Sequence, residues 1–165
     1  MKCALPTGGK LTITESVLGA ICAFAQSDLE ACGMLIGHHP QDTDDIILDR
    51  LTLPQPEDRR TRNRCHRDQG AHQRLLDAEW KASGATRTYV GEWHTHPERV
   101  PVPSQLDRMS WKRATRETAV HGPGLVFVIV GLRVTRVWFG RRNTRTHTKV
   151  AEFKTHHSNQ EGHVS

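Results

Sequence analysis

Gly91-Glu92-Trp93-His94-Thr95-His96-Pro97, followed at short range by Pro103-Ser104-Gln105-Leu106-Asp107, is the stretch on which the reading of this chain turns. Thr88-Tyr89-Val90 leads into it, and the β-branched and aromatic content of 88–93 predicts a strand. Side chains two apart on a strand share a face. His94 and His96 can therefore offer imidazole nitrogens to one ion, while Trp93 and Thr95 turn the other way. Pro97, Pro101 and Pro103 stop the strand and stiffen a loop. Ser104 then stands at a helix N-cap, with Asp107 on the first turn. Two imidazoles and a carboxylate supply three ligands and leave a fourth place for water, the pattern of a catalytic rather than a structural zinc site. Ser-x-x-Asp alone is an ordinary capping motif, and His-x-His alone is weak. Joined at this spacing, they point to Zn2+ held by His94, His96 and Asp107.

The run His94-x-His96, seven residues, then Ser104-x-x-Asp107 resembles the JAMM signature of the MPN/JAB zinc metalloproteases. That signature also has an upstream glutamate in a Glu-x-x-Gly context before an apolar strand, and Glu30-Ala31-Cys32-Gly33-Met34-Leu35-Ile36-Gly37 fits it. The longer string from Tyr89 to Glu98, with Pro103-Ser104 and Trp111, is similar to the JAB peptidases of bacterial CBASS anti-phage operons, which deconjugate CD-NTases. The resemblance implies an α+β, three-layer α/β/α domain, a mixed sheet flanked by helices with zinc at a strand end. It also implies cleavage after the C-terminal glycine of a ubiquitin-like or CD-NTase conjugate.

Roles follow as expectations. Zinc would lower the pKa of a bound water from about 15.7 towards 7 and polarise the scissile carbonyl. Glu30, a carboxylate costly to bury unless something uses it, would be the general base that passes a proton to the leaving amine. Ser104 would donate to the oxyanion. Glu92 shares a strand face with His94 and is the rival base, or a group orienting a ligand histidine. The family pattern favours Glu30. Glu98 reads as a loop residue that is solvated or faces the substrate.

Three other functions stay open. A hydrolase serving a bacterial ubiquitin-like conjugation system would carry the same motif, and so would one that processes a sulfur-carrier protein. A RadC-like nucleic-acid-associated protein shares His-x-His-Pro and Pro-x-Pro-Ser-x-x-Asp, but chains of that kind carry a helix-hairpin-helix segment ahead of the domain, for which the first helix here, near residue 13, leaves no room. Nucleic acid is therefore the unlikelier partner.

With 165 residues the chain suits one domain, expected over 1–155, with a mobile polar tail at 156–165. No apolar run approaches a membrane span, and no signal-peptide core opens the chain. Cys3, Cys22, Cys32 and Cys65 have no C-x-x-C spacing; Cys22 and Cys32 read as small core residues, and a reducing, cytoplasmic setting is expected. The net charge of +5 suits an acidic protein partner as well as a nucleic acid. The densest basic run, 58–67, reads as a solvated loop, or as an arm that guides an acidic substrate. His38-His39 read as an exposed turn; His156-His157 and His163 have nothing to fix their geometry.

Elsewhere, Thr12-x-x-Glu15 predicts a capping box opening a helix to about 26, with Val17, Leu18, Ile21 and Phe24 on one face. Strands are expected at 33–37 and 46–53, a helix at 72–83 and another at 104–115. A hairpin is expected from 125–130 and 134–139, with an edge strand at 150–153.

Overall fold

Residues 1–118 and 121–156 are described by a computed structural model. The end of the expected tail, 157–165, lies outside them, as do 119–120. Eight strands form one mixed sheet: β1 (Lys2–Ala4), β2 (Lys10–Ile13), β3 (Cys32–His38), β4 (Ile46–Leu51), β7 (Thr88–Thr95), β8 (Gly124–Val130), β9 (Val134–Arg141) and β10 (His147–Lys154). Their order across the sheet is β1-β2-β4-β3-β7-β8-β9-β10. β2 runs parallel to β4 and β7 parallel to β8; the other neighbours are antiparallel. A separate hairpin pairs β5 (Arg59–Thr61) with β6 (Arg64–His66). Among the described residues there are three helices: α1 (Glu15–Cys22), α2 (Gln69–Ala82) and α3 (Gln105–Glu117).

The layering follows from alternation on β8, an apolar run buried on both faces. Val126, Val128 and Val130 join Val17 and Ile21 of α1 and Trp93 of β7 in one core. Leu125, Phe127 and Ile129 point the other way and meet Trp111 of α3. Trp111 stacks on Phe127 with ring centroids 4.7 Å apart. With α1 and α3 on opposite faces, the domain has the three layers the sequence led us to expect.

Several local expectations are corrected. Thr12 lies inside β2, so the capping box it suggested does not form; Thr14 is the N-cap of α1, its hydroxyl shared with Ser16 rather than with a backbone N–H. The helix ends at Cys22, and 23–26 is a turn. The second helix starts three residues early, at Gln69, because Asp68 caps it by accepting from the Ala71 amide. His38 is the last residue of β3 and His39 is only partly exposed, so the pair is not a fully solvated turn. The basic run is no open loop either, since it forms β5 and β6.

Gly91 sits where the sheet tolerates nothing larger. Gly91 has φ +152°, and a Cβ there would collide with the Val126 carbonyl on β8. Gly91→Ala should therefore force β7 and β8 apart, just upstream of the two histidines. Overpacking of this kind costs about 1–3 kcal/mol. The expected readout is a melting temperature lower by roughly 5–10 °C; an unchanged one would show that the strands yield freely.

Candidate metal and active site

The end of β7, the start of α3 and the approach to β3 converge on one spot. His94 lies on β7 and His96 one residue beyond it, where the His96 amide still donates to the Val130 carbonyl, 2.9 Å. That bond extends the parallel ladder far enough to keep both rings on one face. Trp93 and Thr95 turn into the α1 side, where the Thr95 hydroxyl accepts from the Ala31 amide. His94 Nε2 and His96 Nε2 are 3.0 Å apart. Asp107 Oδ1 is 3.3 Å from His94 Nε2, and Oδ2 is 3.3 Å from His96 Nε2.

The third ligand is oriented by its helix. Ser104 caps α3, its Oγ accepting from the Asp107 amide at 3.1 Å while Asp107 Oδ2 accepts from the Ser104 amide at 2.7 Å. This reciprocal capping box is the one the sequence announced.

Glu30 sits just before β3, its side chain 8% exposed and its Oε1 3.8 Å from His96 Nε2. Burial raises its pKa, against the pull of His94 and His96. For Asp107 burial also acts upward, but the hydrogen bonds from both histidines prevail and hold its carboxyl well below the usual carboxylate range. Burial alone would lower the His96 pKa; Asp107, Glu30 and Glu98 turn the net shift upward.

All five residues singled out in the sequence therefore meet in one place. They line a cleft of about 770 Å³, with the exposed apolar side chains of Leu106 and Met109 along one wall. The donor set fits a divalent cation. Two ring nitrogens and an ionised carboxylate face a common point at mutual distances of 3.0–3.3 Å, an arrangement that places several lone pairs together and that a positive ion relieves. Among the described residues these three form a group able to hold a metal.

Glu92 is engaged elsewhere. Its Oε1 accepts from Arg67 at 2.8 Å and from the Tyr89 hydroxyl at 3.1 Å. Burial first, then Glu92 itself, pushes the Tyr89 pKa well up, so the phenol stays a donor. Arg67 also donates to the Gly33 carbonyl, so the trio ties the base of the cleft to β3. Glu98, half exposed, caps its own loop by accepting from the Val102 amide.

The feature that sequence reasoning missed is the far wall. β5 and β6 form an arm whose backbone meets Glu30 directly. The Glu30 amide donates to the Thr61 carbonyl, 2.8 Å, and Arg60 Nε donates to the Glu30 carbonyl, 2.8 Å. A disulfide between Cys32 and Cys65 joins the arm to the first residue of β3. Cys32 is thus not simply the small core residue expected, and its pairing runs against the reducing setting that the cysteine spacing suggested; Cys3 and Cys22 are free. Spacing could not disclose a pair separated by 33 residues.

Known proteins share this architecture. Residues 14–143 match the family model for prokaryotic homologs of the JAB domain. A Pseudomonas aeruginosa (strain BWHPSA011 / Pa011) protein named CD-NTase/cGAS isopeptidase is 38% identical over 109 residues, which are 65% of this chain and 66% of that protein. One of the same name from Vibrio cholerae serotype O1 is 34% identical over 113 residues, 68% of this chain and 67% of that protein. A probable metalloprotease, y4qB, from Sinorhizobium fredii is 30% identical over 121 residues, 72% of this chain and 73% of its own. In fold, the solution structure of protein DSY2949 from Desulfitobacterium hafniense is similar with a TM-score of 0.56 at 20% identity, covering 84% of this chain and 88% of that one. The strand-end histidines, the capped aspartate and the matched span lead to one conclusion: this chain belongs to the prokaryotic JAB-domain family, a peptidase-like family of enzymes.

Proposed function

We propose that this protein is a zinc-dependent isopeptidase that cleaves after the C-terminal glycine of a tagged protein, with His94, His96 and Asp107 as the metal ligands. The observation that carries this reading is the convergence of those three donors beside Glu30 in an open cleft. Bound there, zinc supplies Lewis acidity, bringing the pKa of a water in its open position towards about 7.

The chain's own residues do the rest. Glu30, close to the donors and poorly solvated, takes a proton from the attacking water and returns it to the leaving amine. Ser104 Oγ, at the mouth of α3, donates to the oxygen on which negative charge develops. Leu106 and Met109 offer an apolar wall for an extended tail, and a tail ending in glycine brings no side chain into the narrow space beside the histidines. Relatives named CD-NTase/cGAS isopeptidase support a CD-NTase conjugate as the substrate, within bacterial anti-phage defence. A ubiquitin-like conjugate is the alternative, and the cleft chemistry is the same for both. A cytoplasmic setting goes with such a substrate; no helix among the described residues is long and apolar enough to cross a membrane.

The test is a panel of glycine-ended conjugates, CD-NTase and ubiquitin-like, incubated with zinc-loaded protein. Cleavage at the glycine of one conjugate identifies the substrate. One bound zinc per chain without cleavage of any would defeat the reading, and salt-sensitive DNA binding would then favour the nucleic-acid alternative.

The arm refines what its arginines can do. Arg60 and Arg67 are spent on backbone and Glu92 contacts, whereas Arg59, Arg62 and Arg64 are exposed. Replacing those three with serine should raise KM severalfold, leave kcat and zinc content alone, and flatten the salt dependence of kcat/KM, because exposed charges steer within about 10 Å at moderate ionic strength. Unchanged KM at low salt would remove the arm from substrate capture.

A further inference from the structure

The arm owes its position to unequal anchors. At its stem the buried Asp58 carboxylate accepts from the Gln55 amide at 2.7 Å and the Asp68 amide at 2.8 Å, and lies 3.1 Å from His72 Nε2. His72 is held in turn by the Thr52 hydroxyl at 2.6 Å. The first strand is tied to the chain before β3 through Thr61 and Arg60, whose guanidinium also reaches the Leu29 carbonyl. The next anchor is Arg67, at the base of the cleft. Between Thr61 and Arg67, among the described residues, the second strand is held by its three-residue pairing with β5, the Thr61 hydroxyl on the Arg64 carbonyl, and the disulfide of Cys65 to Cys32. A two-stranded hairpin this short is marginal on its own.

Cys65 also touches the machinery. Its backbone amide lies near the Glu30 carboxyl and favours the ionised form, though burial outweighs it. Cys32 stands two residues after Glu30 and pairs in register with His94. Both cysteines line the cleft, Cys65 the more exposed of the two. The disulfide is therefore within reach of small solutes and joins the second strand of the arm to the chain two residues after Glu30.

We propose that the Cys32–Cys65 disulfide is a redox-cleavable tether, and that Cys65 is a positioning residue that holds Glu30 in its working orientation only while the bond is intact. This rests on the reading of Glu30 as the general base. The chemistry is thiol–disulfide exchange. A small thiol, as thiolate, attacks the more exposed Cys65 sulfur; the Sγ–Sγ bond breaks, and Cys32 leaves as a thiolate that takes up a proton. A second small thiolate then attacks the sulfur of the first, the mixed disulfide breaks, and Cys65 leaves as a thiolate that takes up a proton, giving two cysteine thiols and one small-molecule disulfide. Oxidation runs the same exchange backwards with a small-molecule disulfide as the two-electron acceptor. In the reduced protein the stem stays fixed by Asp58, so the fold persists, while 62–66 loosens and Cys65 moves away from Glu30.

The test uses the whole zinc-loaded chain equilibrated across ratios of reduced to oxidised glutathione. Disulfide content is read by thiol alkylation and mass, zinc by elemental analysis, and amide hydrogen exchange over 59–66 in the same samples. Cleavage kinetics are taken on the conjugate identified above. Reduction should speed exchange of the arm, keep zinc, and lower kcat about tenfold or more with KM little changed, the cost of misplacing a catalytic group. Rate and disulfide content should share one midpoint, and reoxidation should restore both. Cys65→Ser should sit at the reduced rate and ignore the glutathione ratio.

A kcat that stays level while the disulfide content changes would overturn the proposal. So would a second equivalent of zinc on the reduced protein, since Cys32, Cys65 and Asp58 lie close enough to share an ion that would hold the arm in place. If no conjugate is cut in either state, the isopeptidase reading fails, and hydrogen exchange still decides the tether: equal protection of the arm in both states would refute it.

Discussion

Protein stripped of metal by a chelator, or carrying His96→Ala, is expected to hydrolyse a glycine-ended conjugate no faster than background. His96 Nε2 is 3.0 Å from its partner nitrogen and 3.3 Å from Asp107 Oδ2, so its loss removes one of the three converging donors. Lewis-acid stabilisation of the developing charge is worth several kcal/mol, and each 1.36 kcal/mol is about tenfold in rate, so a loss of at least ~10³ is expected. Zinc added back should restore the chelated wild type and leave His96→Ala inactive. Full activity in thoroughly demetallated wild type would remove the metal from the mechanism. Stability should follow, since an ion that binds only the folded chain stabilises it by mass action; wild type should melt lower without zinc.

Glu30→Gln should separate binding from chemistry. The amide keeps the size of the side chain but cannot accept the proton of the attacking water. Loss of a positioned general base typically costs about 10²–10⁴ in rate. Because Glu30 is outside the donor set, with Oε1 3.8 Å from His96 Nε2, zinc content should be unchanged. KM should hold as well, since the tail would still find the Leu106 and Met109 wall. A Glu30→Gln protein of undiminished kcat with zinc in place would transfer the role to another group. Glu92 is poorly suited to take it, with its Oε1 already claimed by Arg67 and Tyr89.

How much of this was legible in the sequence depends on the range over which each feature is determined. The strand-end histidines and the capped aspartate are local: alternation sets the first and a three-residue capping box the second, so their convergence could be read from spacing. The hairpin expected from 125–130 and 134–139 is also local, and β8 and β9 form it. The N-terminal edge was not legible. β1 is three residues long and joins β2 through Pro6-Thr7-Gly8-Gly9, and Thr12 has the spacing of a cap while its backbone pairs in the sheet. Sheet pairing prevailed over a side-chain cap worth about 1 kcal/mol.

The arm was misread for a similar reason. Arg59, Arg62 and Arg64 look like solvated charge, and they are exposed. Yet Arg60 and Cys65 on the same strands turn to bonds made by residues about thirty positions away. Periodicity within a strand of three residues cannot reveal contacts of that range. The partner of Glu92 was hidden likewise, since Arg67 reaches it across 25 residues.

The seat of Asp107 has a consequence for how the protein comes apart. One turn beyond it on α3, Trp111 is wedged against Phe127 in the core, so the third ligand is fastened to the interior rather than to a loop. The helix cannot shift without opening that aromatic stack, and the stack cannot open without withdrawing a ligand. When the zinc-loaded protein unfolds on heating, it should therefore release the ion in the same step. On heating, an indicator dye for free zinc and the far-ultraviolet ellipticity should trace superimposable curves, with no metal-depleted native form accumulating between them.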